Sequence, residues 1–341
     1  MKNADYGSHP STPVKLSSRV VVDRETVELK RLEKRIGRVH LQQRLGIEAD
    51  HATQVFGRGR TFFHIENWYS IHALIRLALR CTGLYDRGLR NATDIKIRHN
   101  EIILPRLPPA FDGFTVLHLS DLHLDMDSTY PTALIDRLRQ VAYDLCVITG
   151  DFRVKTHGPY DAALTALAQV SRHLRGPIYA ILGNHDSIRM VTGIEALGII
   201  LLINESVIIE RNGAFVYLAG IDDPHYFQVD NFDRAAQHIP PDAAAILLSH
   251  SPEPYQRAVH AGFDLMLSGH THGGQICLPG GVALMTNADC PRSFCKGAWR
   301  YQTMQGYTSA GSGASVVGVR FNCSPEITLH HLRTPLTFQE D

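Results

Sequence analysis

Dense apolar runs and polar stretches alternate along the chain, and their spacing changes near residue 100. From there on the runs are short and bounded by turn residues: 114–120, 145–149, 178–183, 245–249 and 263–269. Runs of this kind predict buried strands. Between 186 and 245, a helix around 188–197 precedes three further strand-like runs, and a glycine-rich tail returns through strands expected at 316–321 and 327–332. Upstream the pattern is helical. Leu29, Leu32, Ile36 and Val39 carry the spacing of one helix face within 24–45. The segment 94–104 places Ile-Lys-Ile and Ile-Ile-Leu on either side of His99-Asn100, which predicts a hairpin, followed by a stiff connector at 105–109. The elements give an α/β protein with a helical N-terminal extension over 1–93 and a main domain over 94–341. The first tail, to about Pro13, is expected to be disordered.

The predicted strands end in metal-type side chains. Asp121 and His123 follow the first run, Asp151 the second, Asn184 and His185 the third, His250 the fourth, and His270 and His272 the fifth. Ligands collect at the carboxyl ends of strands in open α/β sheets. Residues two apart on an extended chain share a face, so Asp121/His123 and His270/His272 can each converge. Mixed nitrogen and oxygen donors suit Mn, Fe or Zn better than Ca or Mg. If Asp151 bridges two ions, each ion receives four protein ligands. Paired ions about 3.5–4 Å apart characterise phosphoester hydrolysis.

The blocks Asp121-Leu-His123, Gly150-Asp151, Gly183-Asn-His-Asp186, His250 and Gly269-His-Thr-His272 resemble the calcineurin-like metallophosphoesterases. The stretches Gly269-His-Thr-His-Gly-Gly-Gln275 and Arg320-Phe-Asn-Cys-Ser-Pro-Glu-Ile327 are similar to the YkuE/YaeI-like bacterial branch. The resemblance covers roughly residues 95–332. It implies two facing mixed β-sheets flanked by helices. It also implies one ion held by Asp121, His123, Asp151 and His272, and another held by Asp151, Asn184, His250 and His270. In that family His185 is not a ligand; it contacts the scissile phosphate or protonates the leaving oxygen, with Asp186 as its structural partner. The chain departs from many relatives by carrying Asp125 and Asp127 where glycine is usual, which would alter the entrance to the site.

Any one of these blocks alone reads as a turn or a cap; their joint occurrence carries the assignment. Other residues stay open on the sequence. His118 lies inside the first strand, as a hydrogen-bonded core group or one lying behind the ligands. His225 is an ordinary loop residue or faces substrate, and Arg153 binds phosphate or is solvated.

The 341 residues can hold one large α/β domain plus an extra segment, and 44% hydrophobic and 20% charged residues describe a folded globular protein. Six cysteines without paired zinc spacing are expected to be free thiols in a reducing compartment. The polar start Met1-Lys-Asn-Ala-Asp5 lacks the apolar core of a secretory signal, so the expected location is cytoplasmic. The net charge of zero conceals a split: residues 1–101 hold 18 Lys/Arg against 11 Asp/Glu. Within that basic part, the greasy segment 62–84 is interrupted by Glu66, Arg76 and Arg80 and is too charged to span a bilayer. With flanking arginines over 58–90 it either lies on an anionic membrane surface or packs on the catalytic domain or another subunit. No nucleic-acid partner is expected, and the sequence leaves the oligomeric state open.

The expected function is hydrolysis of a phosphodiester or pyrophosphate bond at a dinuclear centre. The branch resemblance adds UDP-2,3-diacylglucosamine, cleaved during lipid A synthesis, as one candidate substrate. The alternatives are a broad phosphodiesterase or nucleotidase with a soluble substrate, and a non-catalytic interaction module. Retention of every ligand type argues against the last.

Overall fold

The computed structural model describes residues 18–56 and 69–335. The expected disordered tail, and the part of the greasy segment that contains Trp68, lie outside those residues. Four helices open the described chain: α1 (Ser18–Ile36), α2 (Arg38–Phe56), α3 (Tyr69–Cys81) and α4 (Tyr85–Thr93). The single helix face expected over 24–45 is broken at Gly37, whose φ of 91° lies where only glycine sits without strain. The break rotates the register. Leu32, Ile36 and Leu41 are buried, whereas Val39 is 78% exposed. Each buried aliphatic side chain contributes on the order of 1.5–3 kcal/mol.

The described strands form two six-stranded sheets and a small hairpin. They are β1 (Lys96–Ile103), β2 (Thr115–Leu119), β3 (Leu145–Ile148), β4 (Ile178–Ala180), β5 (Ile200–Leu201), β6 (Glu205–Arg211) and β7 (Ala214–Gly220). Then come β8 (Ala245–Leu248), β9 (Leu265–Ser268), β10 (Cys277–Leu278), β11 (Val282–Ala283), β12 (Gly297–Tyr301), β13 (Met304–Thr308) and β14 (Glu326–Arg333). One sheet runs β1-β14-β2-β3-β4-β5 and the other β12-β13-β9-β8-β7-β6. The centre of each is parallel: β2, β3, β4 and β5 in one, β13, β9, β8 and β7 in the other.

Side-chain alternation assigns the layers. Val116, Leu145 and Val147 point into the sandwich and meet Val216, Leu218, Ile246 and Leu265 of the opposite sheet. Their neighbours Leu117, Leu119, Cys146 and Ile148 point the other way, under α5 (Thr129–Leu138), α6 (Asp161–Ser171) and α7 (Val191–Glu195). Leu32, Ile36 and Leu41 join this second cluster. The basic extension is therefore partly core: α1 and α2 cover the first sheet, whatever their charge.

Two strand expectations need correction. The segment 94–104 is no hairpin but one strand, β1, paired in parallel with β14. His99-Asn100 does not turn the chain, because His99 stacks on His331 and Asn100 bonds to His330 across the ladder. The run 316–321 is loop, with Val316 at a φ of 61° and only Phe321 bridging to Ile276. All six cysteines are free thiols. Among the described residues no helix is long and apolar enough to cross a membrane.

Candidate metal centre

The five runs become β2, β3, β4, β8 and β9, and the metal-type side chains all lie just past their carboxyl ends. They come from two sheets rather than one edge, so the site sits where the ends of both sheets meet. Asp121, His123, Asp151, Asn184, His185, His250, His270 and His272 are all buried. Convergence does not arise from extended alternation, as the sequence led one to expect. Asp121, His123, Asp151, His270 and His272 have φ values of 50°, 41°, 59°, 69° and 49°. Left-handed backbone at a non-glycine residue costs of order 1–3 kcal/mol and persists only where the surroundings over-determine it. Here the loops hold one another: the amides of Asp121, His123 and Leu124 donate to the carbonyls of Gly150, Asp151 and Phe152. Two glycines are sterically required. A Cβ at Gly183 would lie 2.2 Å from Asp151 Oδ1, and one at Gly269 would lie 1.8 Å from Ser120 Oγ.

The ligand atoms fall into overlapping groups within 4.8 Å: Asp121/His123/His272, His123/Asp151/His185 and Asp121/Asp151/His250. In the first, His123 Nε2 is 3.2 Å from His272 Nε2, which is 3.5 Å from Asp121 Oδ1. On the other side of Asp151, Asn184 Oδ1 is 2.8 Å from His250 Nε2 and 3.0 Å from His270 Nδ1. Asp151 Oδ2 lies between, 3.4 Å from His250 Nε2 and 3.7 Å from His123 Nε2. Ligand atoms bound at about 2.0–2.2 Å to one ion must be spaced in this range.

Backbone carbonyls orient the imidazoles. His123 Nδ1 donates to Arg153 O at 2.7 Å, His250 Nδ1 to Thr149 O at 2.7 Å, and His270 Nε2 to Asn287 O at 2.8 Å. His185 Nδ1 donates to Val154 O. In each neutral ring this turns the bare nitrogen toward the cluster, the orientation a metal ligand needs. Burial pushes His123 down to about 3, and holds His270 and His272 well below the usual histidine range. Burial alone would raise Asp151, but the His250 and His185 rings outweigh it and hold this carboxyl well below its ordinary value. Burial and the nearby Asp151 charge raise Asp121 to about 6.

Asp186 does structural work beside the cluster. Its carboxylate accepts from the amides of Asp151 at 2.8 Å, Phe152 at 2.9 Å and Gly183 at 2.9 Å, tying the loop after β3 to the loop after β4. Arg153 is not solvated. It is buried, and its guanidinium donates to the carbonyls of His185, Gly158 and Thr156. Asp125 and Asp127 accept from the amides of Val154 and Thr129. His225 does stand at the cluster, its ring 4.1 Å from His270 and its Nδ1 2.9 Å from Glu253.

Several supporting residues escape sequence reading. Arg44 of α2 is 0% exposed, donates to Asp186 O at 2.9 Å and stacks on Phe227 at 3.2 Å. Nothing in its helical pattern distinguishes it from the solvated arginines around it. Glu48, one turn on, accepts from Ser187 Oγ and the Ile188 amide. Arg320 lies in a stretch the sequence did single out; it donates to Ala310 O and Gly313 O at 2.6 Å and to His272 O at 3.2 Å.

Comparison with known proteins agrees with this geometry. Residues 114–274 match the family model for calcineurin-like phosphoesterases. The uncharacterized metallophosphoesterase YkoQ of Bacillus subtilis is 31% identical over 252 residues, which cover 71% of this chain and 92% of that protein. Phosphodiesterase YaeI of Escherichia coli is 27% identical over 237 residues, 64% of this chain and 82% of that one. A bovine transmembrane protein with a metallophosphoesterase domain is 30% identical over 67% of this chain and 55% of its own length. The chain belongs to the calcineurin-like phosphoesterases, metal-dependent hydrolases of phosphoric esters.

Asp186→Asn leaves one acceptor oxygen and turns an amide donor toward backbone donors. Unsatisfied buried groups cost about 1–3 kcal/mol, so thermal unfolding of this variant should shift to lower temperature. Turnover on a small diester should fall with it. Unchanged melting would show that the two loops do not depend on this carboxylate.

Proposed function

We propose that this chain hydrolyses a phosphodiester or pyrophosphate bond at a centre of two divalent ions of the Mn, Fe or Zn kind. The observation that supports the reading is the position of buried Asp151, whose Oδ2 lies 3.7 Å from His123 Nε2 and 3.4 Å from His250 Nε2, among seven buried metal-type side chains. One ion would be held by Asp121, His123, Asp151 and His272, the other by Asp151, Asn184, His250 and His270. The donor set fits: imidazole nitrogens turned inward by backbone carbonyls, carboxylate and amide oxygens, and spacings of 2.8–3.7 Å. Such ions would supply Lewis acidity at the phosphoryl oxygens and water activation near neutral pH.

The chain's own residues would then act on the leaving group. His185 stays outside both ligand sets, although its position in the group with His123 and Asp151 would allow ligation. With Nδ1 tied to Val154 O, its Nε2 lies 3.8 Å from Asp151 Oδ2 and can carry a proton to a departing oxygen. His225, braced by Glu253 against His270, is proposed to face the substrate. A diester substrate is in keeping with the similarity to phosphodiesterase YaeI.

A narrower reading, an acylated nucleotide such as UDP-2,3-diacylglucosamine at an anionic membrane surface, rests on α3. Leu74 and Leu77 are 64% and 58% exposed beside Arg76 and Arg80. A groove of about 1080 Å³ lies alongside, lined by Arg76, Arg90, Arg137, Leu89 and Met126, the last three residues beyond His123. None of the metal-type side chains lines it. A soluble diester hydrolysed without preference for acylated nucleotides is the competing outcome.

Three measurements test this. Asp151→Asn should lower bound metal and abolish hydrolysis; two tightly held ions with near-normal turnover would remove Asp151 as the shared ligand. His185→Ala should keep both ions and lose on the order of 10²–10⁴-fold on alkyl or sugar esters, much less on p-nitrophenyl esters, whose leaving group needs little protonation. Equal losses on both ester types would make His185 a positioning group instead. Leu74→Ser/Leu77→Ser should weaken co-sedimentation with anionic vesicles while leaving hydrolysis of a soluble diester intact, and salt should weaken wild-type binding. Wild type that ignores vesicles at low salt excludes the membrane reading.

A further inference from the structure

A line of five polar contacts runs through the sandwich from β1 to the metal centre. Asn100 Nδ2 lies 3.1 Å from His330 Nδ1, and His330 Nε2 lies 3.3 Å from His118 Nδ1. His118 Nε2 lies 2.9 Å from Thr149 Oγ1, Thr149 Oγ1 2.7 Å from Ser120 Oγ, and Ser120 Oγ 2.6 Å from Asp121 Oδ2. His330, His118, Thr149 and Ser120 are each fully buried. The geometry points to His118, Thr149 and Ser120 as positioning residues, a one-way hydrogen-bond relay that fixes how Asp121 presents its carboxylate to an ion. The inference rests on the two-ion reading above.

The direction follows from counting protons. A ligating carboxylate is ionised and can only accept, so the single Ser120 hydroxyl proton points at Asp121. Ser120 Oγ must then accept from Thr149, which uses the only hydroxyl proton Thr149 has. Thr149 Oγ1 must therefore accept in turn, and the donor is His118 Nε2–H. Burial pushes His118 down to about 3 and holds His330 well below the ordinary histidine range, so each ring carries one proton. With Nε2 protonated, His118 Nδ1 is bare and accepts from His330 Nε2–H. His330 Nδ1 is then bare and accepts from the Asn100 amide. One anion thus determines two histidine tautomers and two hydroxyl rotors, and every donor in the row points toward it. Aligned donors polarise one another.

The consequence lies at Asp121. The Ser120 hydroxyl engages its Oδ2 alone, the His270 amide lies 3.1 Å from both oxygens, and Oδ1 faces His272 Nε2 at 3.5 Å. The carboxylate is presented through one oxygen with its rotation stopped. Thr149 also touches the other ligand set, but through its backbone: Thr149 O accepts from His250 Nδ1. Replacing the Thr149 side chain therefore separates the two sets, which a general loosening of the core would not do.

Thr149→Val keeps the shape and removes the hydroxyl. Full-length wild type, Thr149→Val and Thr149→Ser are loaded with Mn²⁺ and titrated with a competing chelator, with metal per chain read by mass spectrometry and melting temperature recorded alongside. Loss of a partner behind a ligand typically costs 10–100-fold in metal affinity. Thr149→Val should weaken one of the two ions by about that factor and leave the other near its wild-type affinity, and Thr149→Ser should recover both. Thr149→Ala takes its place if the valine variant does not fold. Two ions held as in wild type, or both weakened equally together with a lower melting temperature, would overturn the relay. A wild type that takes up no pair of ions removes the two-ion reading itself, and the relay's purpose with it.

Discussion

The site is organised around one buried carboxylate. Asp151 lies just past β3 among the rings of His123, His185 and His250, and the His250 and His185 rings hold its carboxyl below its ordinary value against the cost of burial. Each neighbour is itself constrained by that position. His250 and His185 approach the same oxygen, Gly183 must lack a side chain to admit it, and the His185 amide donates to its other oxygen at 2.9 Å. A buried charge of this kind is tolerable only when it is paired and hydrogen-bonded. The loops that supply the partners accordingly adopt left-handed backbone they would otherwise avoid.

That strain is held by an outer layer of backbone bonds rather than by apolar packing alone. Asp186 gathers amides from two loops, Arg153 gathers carbonyls from its own loop and His185, and Arg320 gathers carbonyls around His272. Charged side chains in such places act as clamps on irregular chain, because a carboxylate or guanidinium can satisfy several backbone groups at once. Arg44 shows how far the layer reaches. It arrives from α2, in a segment whose composition sets it apart from the catalytic part, yet its guanidinium rests behind the loop that carries Asn184 and His185. The helical extension is thus part of what holds the metal-type side chains in place.

The sequence by itself determined the strands that end at the site and the chemistry placed there. Strongly apolar runs closed by Gly, Asp and His constrain local structure directly, since burial and turn formation act over a few residues. The calcineurin-like blocks were legible for the same reason: each needs particular residues at particular local spacings. Tertiary structure decided what depended on distant partners. Only it showed that Arg153 turns inward to carbonyls, that Asp125 and Asp127 tie down amides, that His99-Asn100 continues a strand because His330 and His331 lie opposite, and that Gly37 divides the first helical face. It also decided that Asp121 and His123 converge through left-handed turns rather than extended alternation. Burial and hydrogen-bond partners are properties of the assembled chain, and a polar side chain reads alike in sequence whether it ends in water or against a backbone carbonyl.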